Sequence, residues 1–259
     1  MQITPYPDIN SFFATLLFQL TIILEDRLIG VYLFGSLVWG DFDYGSSDID
    51  LLVVTSSTIT NNEFGKLDSM HRELAKTYTH AKEGMTEILY VSENTLQTFR
   101  TSRSPIAVIH PGEPLHMRDA GKEWLINWYS VQEKGRTLFG PSPKTLIAHI
   151  TREEFIQAVR EYANAFRSQI NRLHSRPAYE ILTICRAYYT YKNGEQTSKK
   201  RAAQWTAKAF PQWATLIEDA LKWRQNWRDN QVDTEEMLPE IKQFVHFILN
   251  QINNEDACC

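Results

Sequence analysis

Cysteine is scarce in this chain. Three occur in 259 residues, Cys185, Cys258 and Cys259, with no CxxC pair and no even framework. Neither a disulfide scaffold nor a thiolate zinc site is expected, and a reducing cytoplasm fits that usage. An excess of basic charge is missing too. Lys and Arg total 27 against 31 Asp and Glu, a net charge of −4, which argues against a non-specific nucleic-acid binder and suits a cationic small-molecule partner. The opening MQITPYPDIN lacks a basic stretch, so no signal peptide is expected. The apolar run Phe12–Leu24 stops at Glu25-Asp26-Arg27, below the roughly 20 residues of a membrane span, and reads as a core-facing helix. Cys258-Cys259 has no polybasic run beside it and reads as a tail rather than a lipid anchor. The histidines show no metal-ligand spacing, and no internal repeat or long low-complexity segment occurs.

What is present is an ordinary globular balance, 43% hydrophobic and 22% charged, enough to bury one large or two modest cores. Asn10-Ser11 can cap a helix over residues 12–27. The β-branched and aromatic run Leu28–Phe34 predicts a strand, Asp48–Val54 a second and Met85–Val91 a third. The spacing of Phe64, Leu67, Met70, Leu74 and Tyr78 predicts a helix over residues 63–80. A short hairpin is expected around Pro111-Gly112, followed by a helix over residues 121–135 in which Trp124 and Trp128 share a core-facing side. The breaker Gly140-Pro141-Ser142-Pro143 marks a change of character. Beyond it only helical segments are read: 152–173, 179–191, 199–210, 212–226 and 234–252. The expected organisation is a mixed α/β domain over residues 1–141 and an all-helical bundle over residues 142–259.

The chemistry concentrates in YLFGSLVWGDFDYGSSDIDLLVV, residues 32–54. Strand residues two apart project to one face, so Asp48 and Asp50 stand side by side, where their charges repel unless a cation lies between them. Mg²⁺, a hard ion taking carboxylate and phosphate oxygens, answers that need. Gly35-Ser36 closes the preceding strand and opens a helical turn. Its backbone amides and hydroxyl form an anion site there, suited to a nucleoside triphosphate. A third acid, to hold metal or to act as general base on an attacking hydroxyl, is Glu87, the ionisable residue of the third strand.

The Gly-Ser, the Asp-x-Asp about a dozen residues on and the later strand carboxylate resemble the nucleotidyltransferase superfamily. LFGPSPKTLI and YEILTICRAYYTYKNGEQTSKKRAAQWTAKAFPQW resemble the helical domain of the aminoglycoside adenylyltransferases that modify streptomycin and spectinomycin. Together the likeness spans most of residues 28–250. It implies an α+β fold, a polymerase-beta-like mixed sheet with helices followed by a helical bundle. It also implies Mg²⁺-dependent transfer of AMP from ATP to an antibiotic hydroxyl, with release of pyrophosphate. Residue by residue, Asp48, Asp50 and Glu87 match the metal ligands and Glu87 the catalytic base. Gly35, Ser36 and Ser47 match nucleotide contacts, and Arg186 and Lys199 match phosphate contacts of the helical domain. Trp223, allowing a two-residue gap, matches an aromatic against the nucleotide. ATP and acceptor are expected in a cleft between the domains.

Plain structural readings stand beside these. Arg186 lies on an otherwise apolar helix and could answer a salt bridge. Lys199-Lys200-Arg201 could be a solvated face, although positive charge is unfavourable at a helix N-terminus and an anion there would relieve it. The expected acceptor is small, hydroxylated and cationic, with Glu87, Glu113, Asp119 and Glu180 as candidate acidic contacts. Where the family's acids should precede YEILTICR, this chain has His174 and Arg176, which disfavour a guanidinium-bearing drug such as streptomycin. A monomer without nucleic-acid or membrane partners is expected. Alternatives are a nucleotidyltransferase acting on a lincosamide, another small molecule or a macromolecule, and a non-catalytic nucleotide-binding regulator.

Overall fold

The computed structural model describes residues 3–81, 85–169, 177–225 and 236–254. His174, Arg176, Cys258, Cys259 and the outer ends of three of the expected helices (to 173, to 226 and from 234) lie outside the described residues. The chain divides into two compact units, Met1–Phe42 with Ser47–Ile150, and Thr151–Cys259 with Asp43–Ser46.

The first unit opens with α1, Pro7–Leu24. Proline at the first helical position costs nothing, because that N–H has no partner within a helix. The helix therefore starts earlier than the expected cap at Asn10-Ser11. Asn10 serves the preceding chain instead, its Oδ1 accepting from the amides of Ile3 at 3.0 Å and Thr4 at 2.8 Å. Among the described residues α1 is the one helix long and apolar enough to cross a membrane. Its inward stripe of Ile9, Phe12, Phe13, Leu16, Leu20 and Leu24 is buried in the core.

Strand β1, Leu28–Phe34, follows, then a single turn α2, Ser36–Trp39, then β2, Ile49–Thr55. Helix α3, Asn61–Thr77, begins at a capping box in which Thr60 accepts from the Glu63 amide and Glu63 accepts from the Thr60 amide. Arg27 pairs with the same Glu63. After β3, Thr86–Ser92, come α4, Glu93–Thr98, and the hairpin β4, Ser104–Ile109, with β5, His116–Ala120. Helix α5, Leu125–Lys134, strand β6, Arg136–Phe139, and α6, Pro143–Leu146, complete the unit.

The strands form one six-stranded sheet in the order β5-β4-β3-β2-β1-β6. Among the described strands only β2 and β3 pair in parallel, and α3 supplies the crossover that a parallel pair needs. Helices α1 and α3 cover one face, packing on Val31, Leu33, Ile49, Leu51, Val53, Ile88 and Tyr90. Tyr32, Leu52 and Leu89, of the opposite parity, are equally buried. Both faces of the central strands are thus covered, which accounts for their unbroken apolar runs.

The second unit holds five helices among the described residues: α7, Arg152–Gln169; α8, Pro177–Asn193; α9, Lys199–Ala209; α10, Ala214–Gln225; and α11, Leu238–Asn254. Helix α8 packs against the other four, and it is apolar nearly all round, as a central helix must be. Burial pushes its Cys185 thiol up to about 12, so the thiol is unreactive at neutral pH.

Glu180, also on α8, is 2% exposed, and its Oε1 has no hydrogen-bond partner among the described residues. Burial raises its carboxyl from the ordinary 4.5 to about 7. Between those values the folded chain keeps a proton that the unfolded chain has lost, so stability falls as pH rises through that window and levels off above it. Glu180→Gln is expected to flatten this dependence. At pH 8 it should stabilise the chain by up to about 3 kcal/mol, with little change near pH 4.5. Urea melts at pH 5, 6.5 and 8 measure this, and an unchanged pH profile in the variant would contradict it.

Candidate active site

The sheet register brings the acids together. Asp50 pairs with Phe34 across β1 and with Glu87 across β3, and Asp48 stands one residue ahead of β2. Because Ile49, Leu51, Ile88 and Tyr90 belong to the core under α1 and α3, strand alternation turns Asp50 and Glu87 to the opposite face. One carboxylate oxygen from each of Asp48, Asp50 and Glu87 lies within 4.8 Å of the others, and all three residues are half-buried. Three carboxylates this close repel one another strongly at reduced dielectric. An all-oxygen donor set of this charge fits a hard divalent cation, Mg²⁺ above all, with its remaining positions open to phosphate or water.

Gly35 places the phosphate loop against this cluster. Its φ of +69° and ψ of −150° belong to a region that is essentially glycine's alone. A Cβ there would lie 1.6 Å from Asp50 Oδ2. The missing side chain is what lets the Asp50 carboxylate and the turn share one space. The Gly35 carbonyl accepts from the amides of Val38 and Trp39, while the Ser36 and Leu37 amides, at the start of α2, have no acceptor within the turn. Ser36 Oγ is buried with no hydrogen-bond partner among the described residues, which suits a hydroxyl awaiting a ligand oxygen. Ser47 is 1% exposed directly before Asp48. The structure thus gathers Gly35, Ser36, Ser47, Asp48, Asp50 and Glu87 in the first unit.

Arg186, Lys199 and Trp223 belong to the second unit. Arg186 is half-buried on α8 and has no hydrogen-bond or ion-pair partner among the described residues, so the salt bridge that could have explained it is missing there. Lys199, the first residue of α9, sets its Nζ over the Tyr179 ring, 4.3 Å from the centroid, and is more enclosed than Lys200. Trp223, on α10, is half-buried. Of the candidate acceptor acids, Glu113 and Asp119 are exposed, while Glu180 is buried within α8.

His110, in the step after β4, joins this cluster without any motif in the sequence to announce it. The register Ile88↔Ile109 puts His110 opposite Glu87 in the next pair outward, and its Nδ1 lies 3.6 Å from Glu87 Oε2. Nothing local to His110 signals this, because the pairing of β3 with β4 is set at long range.

Two family models match the chain: nucleotidyltransferase domain over residues 19–97, and aminoglycoside adenylyltransferase, C-terminal domain, over residues 145–251. The chain is similar to spectinomycin 9-adenylyltransferase of Staphylococcus aureus, 24% identical over 247 residues, covering 87% of this chain and 88% of that protein. It is also similar to the spectinomycin 9-adenylyltransferase of Campylobacter jejuni, 22% identical over 199 residues, covering 73% and 75% respectively. Among solved structures, a spectinomycin adenyltransferase from Enterococcus faecialis with ATP and spectinomycin matches with a TM-score of 0.74 at 18% identity. That match covers 94% of this chain and 98% of the other, and it supports the same fold.

Proposed function

We propose that this chain, an adenylyltransferase of the nucleotidyltransferase superfamily with an aminoglycoside adenylyltransferase C-terminal domain, transfers AMP from ATP to a hydroxyl of spectinomycin. The observation that carries the reading is the convergence of Asp48, Asp50 and Glu87 within 4.8 Å beside the Gly35-Ser36 turn. The curated relatives' substrate supports the choice of acceptor.

In the proposed reaction the acceptor oxygen attacks the α-phosphorus of ATP in line. The bond from that phosphorus to the β-phosphate bridging oxygen breaks, and pyrophosphate leaves. Asp48 and Asp50, with Glu87, would hold Mg²⁺, which when bound would supply Lewis-acid stabilisation of the charge on the phosphates. Glu87 takes the hydroxyl proton. The Ser36 hydroxyl and the opening amides of α2 bind phosphate oxygens, and Ser47 supports the nucleotide. Arg186 and Lys199 neutralise the triphosphate, and Trp223 lies against the nucleotide. Most of the rate enhancement comes from positioning and fixed charge. The site of action is the cytoplasm, where ATP is supplied.

Pyrophosphate release from Mg-ATP tests the reading with spectinomycin, streptomycin, a lincosamide and no acceptor. Release with spectinomycin, abolished by EDTA, is the expected result. Streptomycin should be a poor acceptor, because just ahead of YEILTICR, where the family resemblance implies acids, the sequence has His174 and Arg176. ATP binding without release in every arm would overturn the assignment in favour of a nucleotide-binding regulator. Release only with the lincosamide would keep the reaction and overturn the acceptor.

A further inference from the structure

Glu87 has an oriented neighbour on the side away from the aspartates. His110 Nδ1 is 3.6 Å from Glu87 Oε2, and on the far side of the ring Arg118 Nη1 is 3.4 Å from His110 Nε2. A guanidinium has donors only. In the neutral ring this contact makes His110 Nε2 the acceptor for Arg118 and puts the imidazole hydrogen on Nδ1, aimed at Glu87. The ring plane is set as well. His110 stacks on Trp124 with centroids 6.0 Å apart and planes 18° apart, and Trp124 stacks on the fully buried Trp128 at 5.7 Å and 19°. The Arg118 guanidinium lies over the same Trp124 ring, 5.7 Å from its centroid. The neighbouring His116 ring also borders His110, with centroids 6.0 Å apart and planes at 46°, while its own nitrogens face Pro114 O at 3.0 Å and Glu113 Oε2 at 3.5 Å.

Strand alternation explains how Glu87, His110 and Arg118, from three separate strand segments, come to one face. Val108 pairs with His116 and Ile106 with Arg118 across β4 and β5. His110 has the parity of Val108, which pairs with Leu89, which has the parity of Glu87. All of these residues project to the face that carries the acids.

We propose that His110, its tautomer set by Arg118 and its ring plane by Trp124, is a positioning residue that orients the Glu87 carboxylate for removal of the acceptor's hydroxyl proton. At 3.6 Å the contact is longer than a hydrogen bond. It acts as an aligned dipole that closes on the carboxylate when the site fills, since catalytic contacts tighten in the reactive complex. The inference rests on the adenylyl-transfer reading through Glu87, while the tautomer on which it depends is measurable without any substrate.

Two measurements test it. Nitrogen-15 NMR of the imidazole rings in the ligand-free protein should show the Nδ1–H form of His110, moving toward Nε2–H in Arg118→Met. An Nε2–H form in the parent chain would overturn the proposal. Steady-state kinetics with Mg-ATP and spectinomycin should show His110→Phe, which keeps the stack, lowering kcat by about 10- to 100-fold. KM for ATP and the thermal midpoint should stay near the parent values. His110→Asn, whose amide N–H reaches the Nδ1 position, should recover most of the loss. Arg118→Met should add little to His110→Phe, because both act through one relay. A kcat for His110→Phe within twofold of an active parent, or an Asn variant as poor as Phe, overturns the positioning role and leaves the adenylyl-transfer reading intact. An inactive parent overturns that reading and this proposal with it, whereas the NMR result separates the two failures.

Discussion

Asp50→Asn is expected to lower kcat about 10³-fold while the fold survives, the size of loss seen when one electrostatic contact to a transition state is removed. The substitution keeps the shape that fits against Gly35, where a Cβ would lie 1.6 Å from Asp50 Oδ2, so packing should hardly change. What it removes is one charge from three carboxylates whose oxygens lie within 4.8 Å of one another. Two consequences of opposite sign follow. Without metal, less repulsion remains, and the thermal midpoint should hold or rise. With metal, a ligand is lost. Mg²⁺ at 100 times its Kd would stabilise the parent by about 2.7 kcal/mol, and this increment should largely disappear in the variant. Pyrophosphate release and melts with and without Mg²⁺ measure both. A variant near the parent rate, or one still stabilised by Mg²⁺ to the parent's extent, would end the metal assignment.

Gly35→Ala is expected to be nearly as damaging, by a different route. The residue's φ of +69° and ψ of −150° cost an alanine roughly 1–3 kcal/mol, so the thermal midpoint should drop by several degrees. The larger effect lies at the site. The new methyl group and Asp50 Oδ2 cannot both stay where they are, and either the carboxylate or the turn that carries Ser36 must move. A shift of about 1 Å in a reacting group costs about 10²-fold in rate. The expected result is a kcat lowered at least to that extent, together with a weaker response to Mg²⁺. Asp50→Asn, by contrast, should not lose stability, so the pair of melts separates a packing effect from a charge effect. If Gly35→Ala keeps both rate and midpoint, the close approach does not matter.

Much of the fold was legible because local chemistry and tertiary context agreed. The β-branched and aromatic run Leu28–Phe34 is β1 to the residue. The second and third strands lie one residue later than read, because the ladder begins only where β2 and β3 can pair, at Ile49↔Thr86. Where local signals competed, the reading shifted. Asn10 has the chemistry of a helix cap, yet its amide holds Ile3 and Thr4 while Pro7 starts the helix. Strand β6, Arg136–Phe139, and helix α4, Glu93–Thr98, carry no legible sequence signal. Each is too short to show a period, and β6 is a strand because it completes the edge beside β1.

The same division holds for the site. Asp48 and Asp50 share a side because residues two apart on an extended chain must, and Gly35 precedes a turn because its neighbours cannot adopt its backbone angles. Those facts are local, and the sequence by itself determined them. That Asp50 faces Glu87, and that His110 stands beyond Glu87, depends on which strands become neighbours and in what register. Shifting a strand by one residue would turn its apolar set to the wrong face, so register answers to the burial of two sheet faces under helices distant in the chain. Only the tertiary structure decided it, and with it the company that the Glu87 carboxylate keeps.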